Sequence, residues 1–272
     1  MTSKTFLSLG AGVQSTTLAL MCAHKEIEPM PDAAIFADTH EPAHVYSHLT
    51  WLSKQLPFPI ITVRKGDIFN DVLYAAKHGK RVGNPPFYCL NEDGSKAILT
   101  RVCTVEYKVN PLIREMRAQL GFAKGQRIKN AQATQYIGIS LDEVTRMKES
   151  PHPNWLTNRW PLVEKRINRN GCFRWMEKHG YPKPPRSACT FCPYHADDYW
   201  RYLKNEFPEE FEEACLFDEA IRGGVNKTTA KALFLHRELI PLRDVDLRSD
   251  IDKGQLTLGF SALDECDSVC MI

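Results

Sequence analysis

The sequence lacks several features that would settle its class at once. None of its 272 positions begins an apolar run of about 18 residues, which argues against a helical membrane span and a membrane partner. Met1 to Thr5 leads directly into a strand-like segment and not into the apolar core of a signal peptide, so the expected compartment is the cytoplasm. There is little excess of either charge. The 35 Lys and Arg against 33 Asp and Glu leave a net +2, which neither demands nor rules out a nucleic-acid partner. No internal repeat or low-complexity linker interrupts the chain.

What is present suits a packed core. With 43% apolar residues, the chain is long enough for one substantial α/β domain with a smaller appended region. Its charges are unevenly placed: residues 159–186 hold eight Lys/Arg and two Asp/Glu, and residues 206–219 hold seven acids and no base. Both runs read as solvated helix faces and loops, and the basic one reads alternatively as a surface for a polyanion. Nine cysteines in a reducing compartment are better weighed as metal ligands or redox groups than as a disulfide framework. Cys22 and Cys215 fall in helical apolar patterns and read as core. Cys89, Cys103, Cys172, Cys189, Cys192, Cys266 and Cys270 remain.

The first 140 residues alternate short apolar runs with helical periodicity, the βαβ signature of a parallel sheet covered by helices. "TFLSLG", "AAIFADT", "PIITVR" and "QYIGIS" read as strands ending at Gly10, Thr39, Arg64 and Ser140. "STTLALMCAHK", "VYSHLTWLSKQL" and "DIFNDVLYAAKHG" read as the helices between them. The expected fold is α/β: a doubly wound, mostly parallel, Rossmann-like sheet with its ligand crevice at the carboxyl ends of the strands. After about Pro151, Pro-rich and aromatic loops replace strand signal and call for a staple. Helices are then expected in "DDYWRYLKNEF", "EEFEEACLFDEAIRGG" and "KTTAKALFLHREL", with an irregular tail from Pro241. This divides the chain into a nucleotide-binding domain over 1–150 and a cysteine-containing loop and helical region over 151–272, packed on the first.

The stretch "LSLGAGVQSTT", residues 7–17, joins the first strand to the first helix. Gly10 and Gly12 let backbone N–H groups approach an anion, the helix adds its N-terminal dipole, and Ser15 and Thr16 offer hydroxyls. A merely tight βα turn is the other reading. No Lys follows the glycines as in a P-loop, and no third Gly completes a dinucleotide fingerprint.

From Ser8 to Ser15 this turn resembles the PP-loop of the adenine nucleotide alpha-hydrolase superfamily, S-x-S-G-G-x-D-S, with Gly10, Ala11, Gly12 and Ser15 on its small-residue and terminal Ser positions. Three further segments resemble the sulfonucleotide (PAPS and APS) reductase-like branch. "FADTHEP" carries Asp38 and Thr39 of its D-T-x-x-E segment, "GISLDEVTRM" matches Gly138, Glu143 and Arg146, and "RVCTVEYKVNPL" places Cys103 and Lys108 before a Pro. The resemblance spans residues 4–195 and implies a HUP-type fold binding ATP or a related adenine nucleotide. It implies that Ser8, Gly10, Ala11, Gly12, Gln14, Ser15, Thr16 and Gly138 surround the phosphates. Asp38 and Thr39 then serve the adenosine side, Arg146 clamps the phosphate or substrate, and Lys108 is a catalytic candidate whose charge, with that of Arg186, would stabilise thiolates and an anionic cluster. Gln14 stands where the loop usually has an acid, and Val13 and Ser140 also depart from the pattern.

"SACTFCPYH" brings Cys189 and Cys192 together on a turn, and one such pair does not fill a tetrahedral site. Cys103 and Cys172, each in a basic and aromatic setting, are the expected partners, with Cys89 or Cys266 in reserve. Four thiolates suit a [4Fe-4S] cluster or zinc. A redox pair and purely structural thiols are the remaining readings. The resemblance favours the cluster, since some members hold one near the nucleotide. "ECDSVC" near the end is similar to the Glu-Cys of sulfonucleotide reductases, which implies Cys266 as a nucleophile, and Cys270 could resolve the product.

Three functions follow. The first is ATP-dependent adenylation, with Mg²⁺ where ATP is the nucleotide, coupled to sulfur transfer from a sulfur donor to a nucleic acid such as tRNA or DNA, or to a small molecule. The second is sulfonucleotide reduction through Cys266. The third is a silent nucleotide-sensing or nucleic-acid-binding module with structural zinc. A homodimer is compatible with each.

Overall fold

Every residue of Ala33–Ala37 is buried, the pattern of a strand covered on both faces of a parallel sheet. A computed structural model describes residues 2–226 and 230–249. In chain order its elements are β1 (Thr2–Leu9), α1 (Val13–Ala23), β2 (Ala33–Ala37), α2 (Ala43–Ser53), β3 (Ile60–Val63) and α3 (Ile68–His78). There follow β4 (Tyr88–Leu90), β5 (Lys96–Ile98), α4 (Asn110–Gln119), β6 (Ala131–Ile137), β7 (Leu156–Arg159), α5 (Pro161–Glu164) and α6 (Arg169–Lys178). The last are α7 (Asp197–Glu206), α8 (Pro208–Ala220) and β8 (Ala232–Phe234). None of the described helices is long and apolar enough to cross a membrane.

The chain forms two compact units, and neither is a single stretch of sequence. The first takes residues 2–64 and 108–187. Its sheet has the order β3-β2-β1-β6-β7 with all neighbours parallel. Adjacent residues of β1 feed opposite faces, as strand geometry requires. Leu7 packs with Leu18, Phe36, Val45, Leu52, Tyr136 and Met176, and Phe6 packs with Ile35, Met116, Ala133, Trp155 and Leu156. Helices therefore cover both sides of the sheet, the doubly wound α/β architecture expected from the sequence. Because β1 lies between β2 and β6, the winding reverses there, and the carboxyl ends of β1 and β6 are where open α/β sheets place their ligand crevice.

The second unit takes residues 65–107 and 188–249 and carries the antiparallel sheet β5-β4-β8 with α3, α7 and α8. Its core is aromatic: Phe191 stacks on Phe217 at 4.3 Å, and Phe87, Tyr199 and Trp200 are fully buried beside Leu203 and Leu235. Helix α3 shows why these ends form. The Asp67 side chain accepts from Phe69 N–H at 3.0 Å and Asn70 N–H at 3.3 Å, and Gly79 closes the helix at φ 61°. Asp218 on α8, wholly buried, accepts from the N–H groups of Leu235 at 2.7 Å and Leu242 at 3.1 Å and pairs with Arg222. It joins α8 to the strand β8 and to the turn that follows.

Two expectations are corrected. The boundary is not at residue 150, because "LTNR" forms β7 on the edge of the first sheet and 65–107 belongs with 188–249. "RNGCFRWMEK" forms helix α6, its start capped by the Asn168 side chain accepting from Gly171 N–H at 2.8 Å. The segment "KALFLHREL" forms β8 and turns in place of a helix, since Leu233, Phe234 and Leu235 are all buried in succession. Cys22 and Cys215 are core residues as expected, 0% and 1% exposed.

Replacing Asp218 by Ala strands two buried N–H groups and one guanidinium, and is expected to destabilise the chain by about 3–5 kcal/mol. Urea unfolding followed by circular dichroism checks this. A loss under about 1 kcal/mol, the scale of an exposed pair, would contradict it.

Candidate functional site

The turn between β1 and α1 is built by its own hydrogen bonds. Ala11 takes a left-handed φ of 59°, and Gly12 is extended and starts the helix without a side-chain cap. Ser15 Oγ accepts from Gly10 N–H at 3.2 Å and donates to Gly12 O at 3.3 Å, so this hydroxyl closes the turn. The first N–H groups of a helix have no partner within it, and here the first turn contains no acid to compete with an incoming anion. Thr16 Oγ1 lies 3.0 Å from His48 Nε2, both side chains buried, and burial pushes the imidazole down to about 4. Ser8 is a strand residue whose hydroxyl accepts from Gln135 of β6.

Gly138 sets the other wall of the turn. A Cβ there would lie 2.9 Å from both N and Cα of Ser15, and both are backbone atoms. Beyond it, Ser140 Oγ donates to Asp142 at 2.6 Å, and Asp142 accepts from Arg169 N–H at 3.1 Å. Arg169 Nη1 then reaches Gln14 Oε1 at 3.2 Å, and Gln14 Nε2 lies 3.5 Å from Ser140 Oγ. Here Gln14 matters: a neutral amide accepts from Arg169 without cancelling the guanidinium charge, as an acid at this position would. Arg146 donates to Glu143 at 2.7 Å.

After β2, Asp38 and Glu41 organise the next loop. Asp38 accepts from Arg64 Nε at 2.8 Å, from Tyr46 Oη at 2.8 Å and from His40 N–H at 3.2 Å. Burial, and then the Asp38 carboxylate, push the Tyr46 hydroxyl up, so it stays a donor. Thr39 Oγ1 donates to Glu41 at 2.9 Å, Ser187 Oγ does so at 3.0 Å, and Lys108 Nζ lies 3.5 Å away. The Glu41 side chain is fully buried and Lys108 is the cation beside it. Asp38 thus ties this loop to Arg64 and to Tyr46 on α2, and Thr39 bonds to Glu41.

Cys189 and Cys192 belong to the second unit. Cys192 N–H donates to Cys189 O at 3.0 Å, closing the turn, and both residues lie in the apolar cluster against which Cys103 packs and which also contains Cys89. His195 Nε2 sits 2.9 Å from Cys189 O. A carbonyl only accepts, so this nitrogen carries the proton. Cys172 is elsewhere. It is fully buried in the first unit beside Thr17, and burial pushes its thiol up to about 12. Cys266 and Cys270 lie outside the described residues.

Sequence reasoning missed Arg169, Glu41, Ser187 and His195 as individual residues. Arg169 was signalled only as part of a basic run, and Glu41 only by its place in "FADTHEP".

Two outcomes are expected. Gly138→Ala pushes the Ser15 backbone away and is expected to destabilise the chain by about 1–3 kcal/mol, read by urea unfolding. For His48, the unfolded ring protonates below about 6.5 while the folded ring stays neutral down to about 4. Its contribution is therefore complete above pH 6.5 and lost as the pH falls to 4, about 3 kcal/mol in total. Melts from pH 4 to 7 should show a shallower acid limb in His48→Gln than in the parent.

No family model matches the sequence, and no curated protein does. Thirteen chains of solved structures match, among them "U34-tRNA thiolase NcsA from Methanococcus maripaludis with its [4Fe-4S] cluster". That match has 13% identity and a TM-score of 0.38, over 82% of this chain and 72% of that one. The chain's own strand order, β3-β2-β1-β6-β7 with helices on both faces, is that of a Rossmann-like α/β protein.

Proposed function

We propose that the first unit is a PP-loop adenine-nucleotide site, and that the chain uses ATP to adenylate a nucleic acid and prepare it for sulfur transfer. The observation that carries this reading is the turn Gly10–Ser15, seated at the carboxyl end of β1 against Gly138, with the uncapped start of α1 directly behind it. The backbone N–H groups of the turn take the α-phosphate oxygens. Arg169, held by Gln14, supplies positive charge as the bond to the leaving pyrophosphate breaks, and Mg²⁺ bound with ATP would neutralise the outer phosphates. An acceptor oxygen attacks the α-phosphorus, pyrophosphate leaves, and sulfur later displaces AMP. Such chemistry at the α-phosphate has no use for the outer-phosphate Lys of a P-loop.

The basic run supports a polyanionic acceptor, tRNA or DNA. Its Lys165, Arg166, Arg174, Lys178 and Lys183 are all exposed, as a phosphate-contacting surface requires. Cys103, Cys189 and Cys192 are the proposed ligands of a [4Fe-4S] cluster, with zinc as the other metal their soft donors suit. The fit rests on the closed Cys189–Cys192 turn and on the apolar cluster that all three share. A cluster there would supply a binding point for inorganic sulfur.

The test is anaerobic incubation of the full chain with α-labelled ATP, sulfide and tRNA or DNA, followed by chromatography and mass spectrometry of the nucleic acid. AMP and pyrophosphate are expected, with sulfur incorporated. Arg169→Ala should lower AMP formation by about 10²–10³-fold. The Cys189→Ser variant should still release pyrophosphate while losing sulfur incorporation. Absence of ATP binding, or pyrophosphate release unaffected by Arg169→Ala, overturns the assignment.

A further inference from the structure

Helices α1 and α6 pack side by side and end in the same way. At the end of α1, His24 is the C-cap, Lys25 turns left-handed at φ 60°, and Glu26 N–H returns to Met21 O at 2.9 Å. At the end of α6, His179 is the C-cap, Gly180 turns left-handed at φ 70°, and Tyr181 N–H returns to Met176 O at 3.0 Å. This reversal fixes the residue two beyond the cap beside the cap itself. The two histidines, one from each helix, thereby meet with ring centroids 5.0 Å apart, and Glu26 is folded back between them and Trp175.

We propose that His24, Glu26 and His179 form a divalent-metal site, with Zn²⁺ the best-matched ion, that clips the end of α1 to the end of α6. One ligand atom from each residue lies within 4.8 Å of the others, and His179 Nε2 is 3.8 Å from Glu26 Oε1. Ligand atoms about 2.0–2.1 Å from a tetrahedral zinc are roughly 3.4 Å apart, so small side-chain rotations close the site. The surrounding groups are set for this. His179 Nδ1 lies 2.8 Å from Trp175 O, which fixes the proton on Nδ1 and leaves Nε2 bare toward Glu26. Trp175 Nε1 lies 3.1 Å from both Glu26 oxygens and holds the carboxylate, while the Tyr181 hydroxyl, 2.8 Å from His24 Nε2, accommodates either tautomer. Two helix C-termini also point their partial negative charge at the same spot. Two imidazoles and one carboxylate match zinc and leave a fourth position for water. His24 and Glu26 are exposed and His179 is half-buried, so the ion enters from solvent without unfolding.

The probe is ZnCl₂, titrated calorimetrically into the chelator-treated full chain. The parent, His24→Ala, His179→Gln and a Cys103→Ser/Cys189→Ser/Cys192→Ser variant are compared, with melting curves run beside each. The expected result is a saturable Zn²⁺ equivalent that survives in the cysteine variant, raises its Tm, and weakens on the order of 10–100-fold in each histidine variant. Co²⁺ bound to the cysteine variant should give visible bands of nitrogen and oxygen ligation without thiolate charge transfer. The proposal is overturned if the equivalent disappears with the cysteines, if both histidine variants bind as the parent does, or if binding is shallow and unsaturable, an adventitious ion only. A histidine variant with the parent's metal-free Tm excludes misfolding as the cause of a loss. None of these readouts depends on turnover of ATP.

Discussion

The close approach of two backbones, Gly138 at the end of β6 and Ser15 in the first turn of α1, governs the first unit. No other residue fits at 138, because a Cβ would lie 2.9 Å from main-chain atoms that have no side-chain freedom to yield. That contact seats the start of α1 at the carboxyl ends of β1 and β6. The Ser15 hydroxyl can then tie Gly10 to Gly12, and Gln14 comes within reach of Ser140 and Arg169. A helix end held this firmly presents its N–H groups without rearrangement, and preorganisation of that kind is what makes backbone donors effective toward developing charge.

The polar residues around the turn divide into those whose contacts build it and the cations set beside it. Asp38, Thr39 and Thr16 have the residue types of a ligand shell, yet their strongest contacts are to Arg64 and Tyr46, to Glu41, and to His48. Their effect is positional: buried carboxylates with full sets of donors fix a loop more rigidly than apolar packing alone. Arg169 and Lys108 belong to the second class. Arg169 reaches a neutral amide, and Lys108 lies beside a shared buried carboxylate.

Much of the first unit was legible in the sequence because its signals are local. Runs such as "AAIFA" are apolar throughout, and the glycine turn punctuates strand and helix. What stayed hidden was set by distant partners. The strand "LTNR" is polar at the sheet edge and gains its pairing from β6, 23 residues earlier at Tyr136–Arg159. Strand β8 is three residues that pair with Tyr88–Leu90, so no window around it contains the reason it is extended. The same holds for the site. The turn and Asp38 carry motif spacing, but Arg169 meets Gln14 across 155 positions and Ser187 meets Glu41 across 146. Cys172 stands among basic and aromatic neighbours in the sequence. Helical phase, which that composition does not reveal, places it on the buried face of α6.

The interleaving of the two units has a consequence for synthesis. Residues 65–107 of the second unit leave the ribosome before 188–249, on which their sheet and aromatic core depend. At 5–20 residues per second the wait is roughly 4–16 s, during which Val72, Phe87 and Cys89 lack the part of their core that 188–249 supplies. The first unit meanwhile acquires its last strand and helix from the intervening 108–187. The order of birth thus makes the nascent second unit the aggregation-prone stage of biogenesis, and the one where a holdase chaperone or slower translation near residue 188 would raise the yield of folded chain.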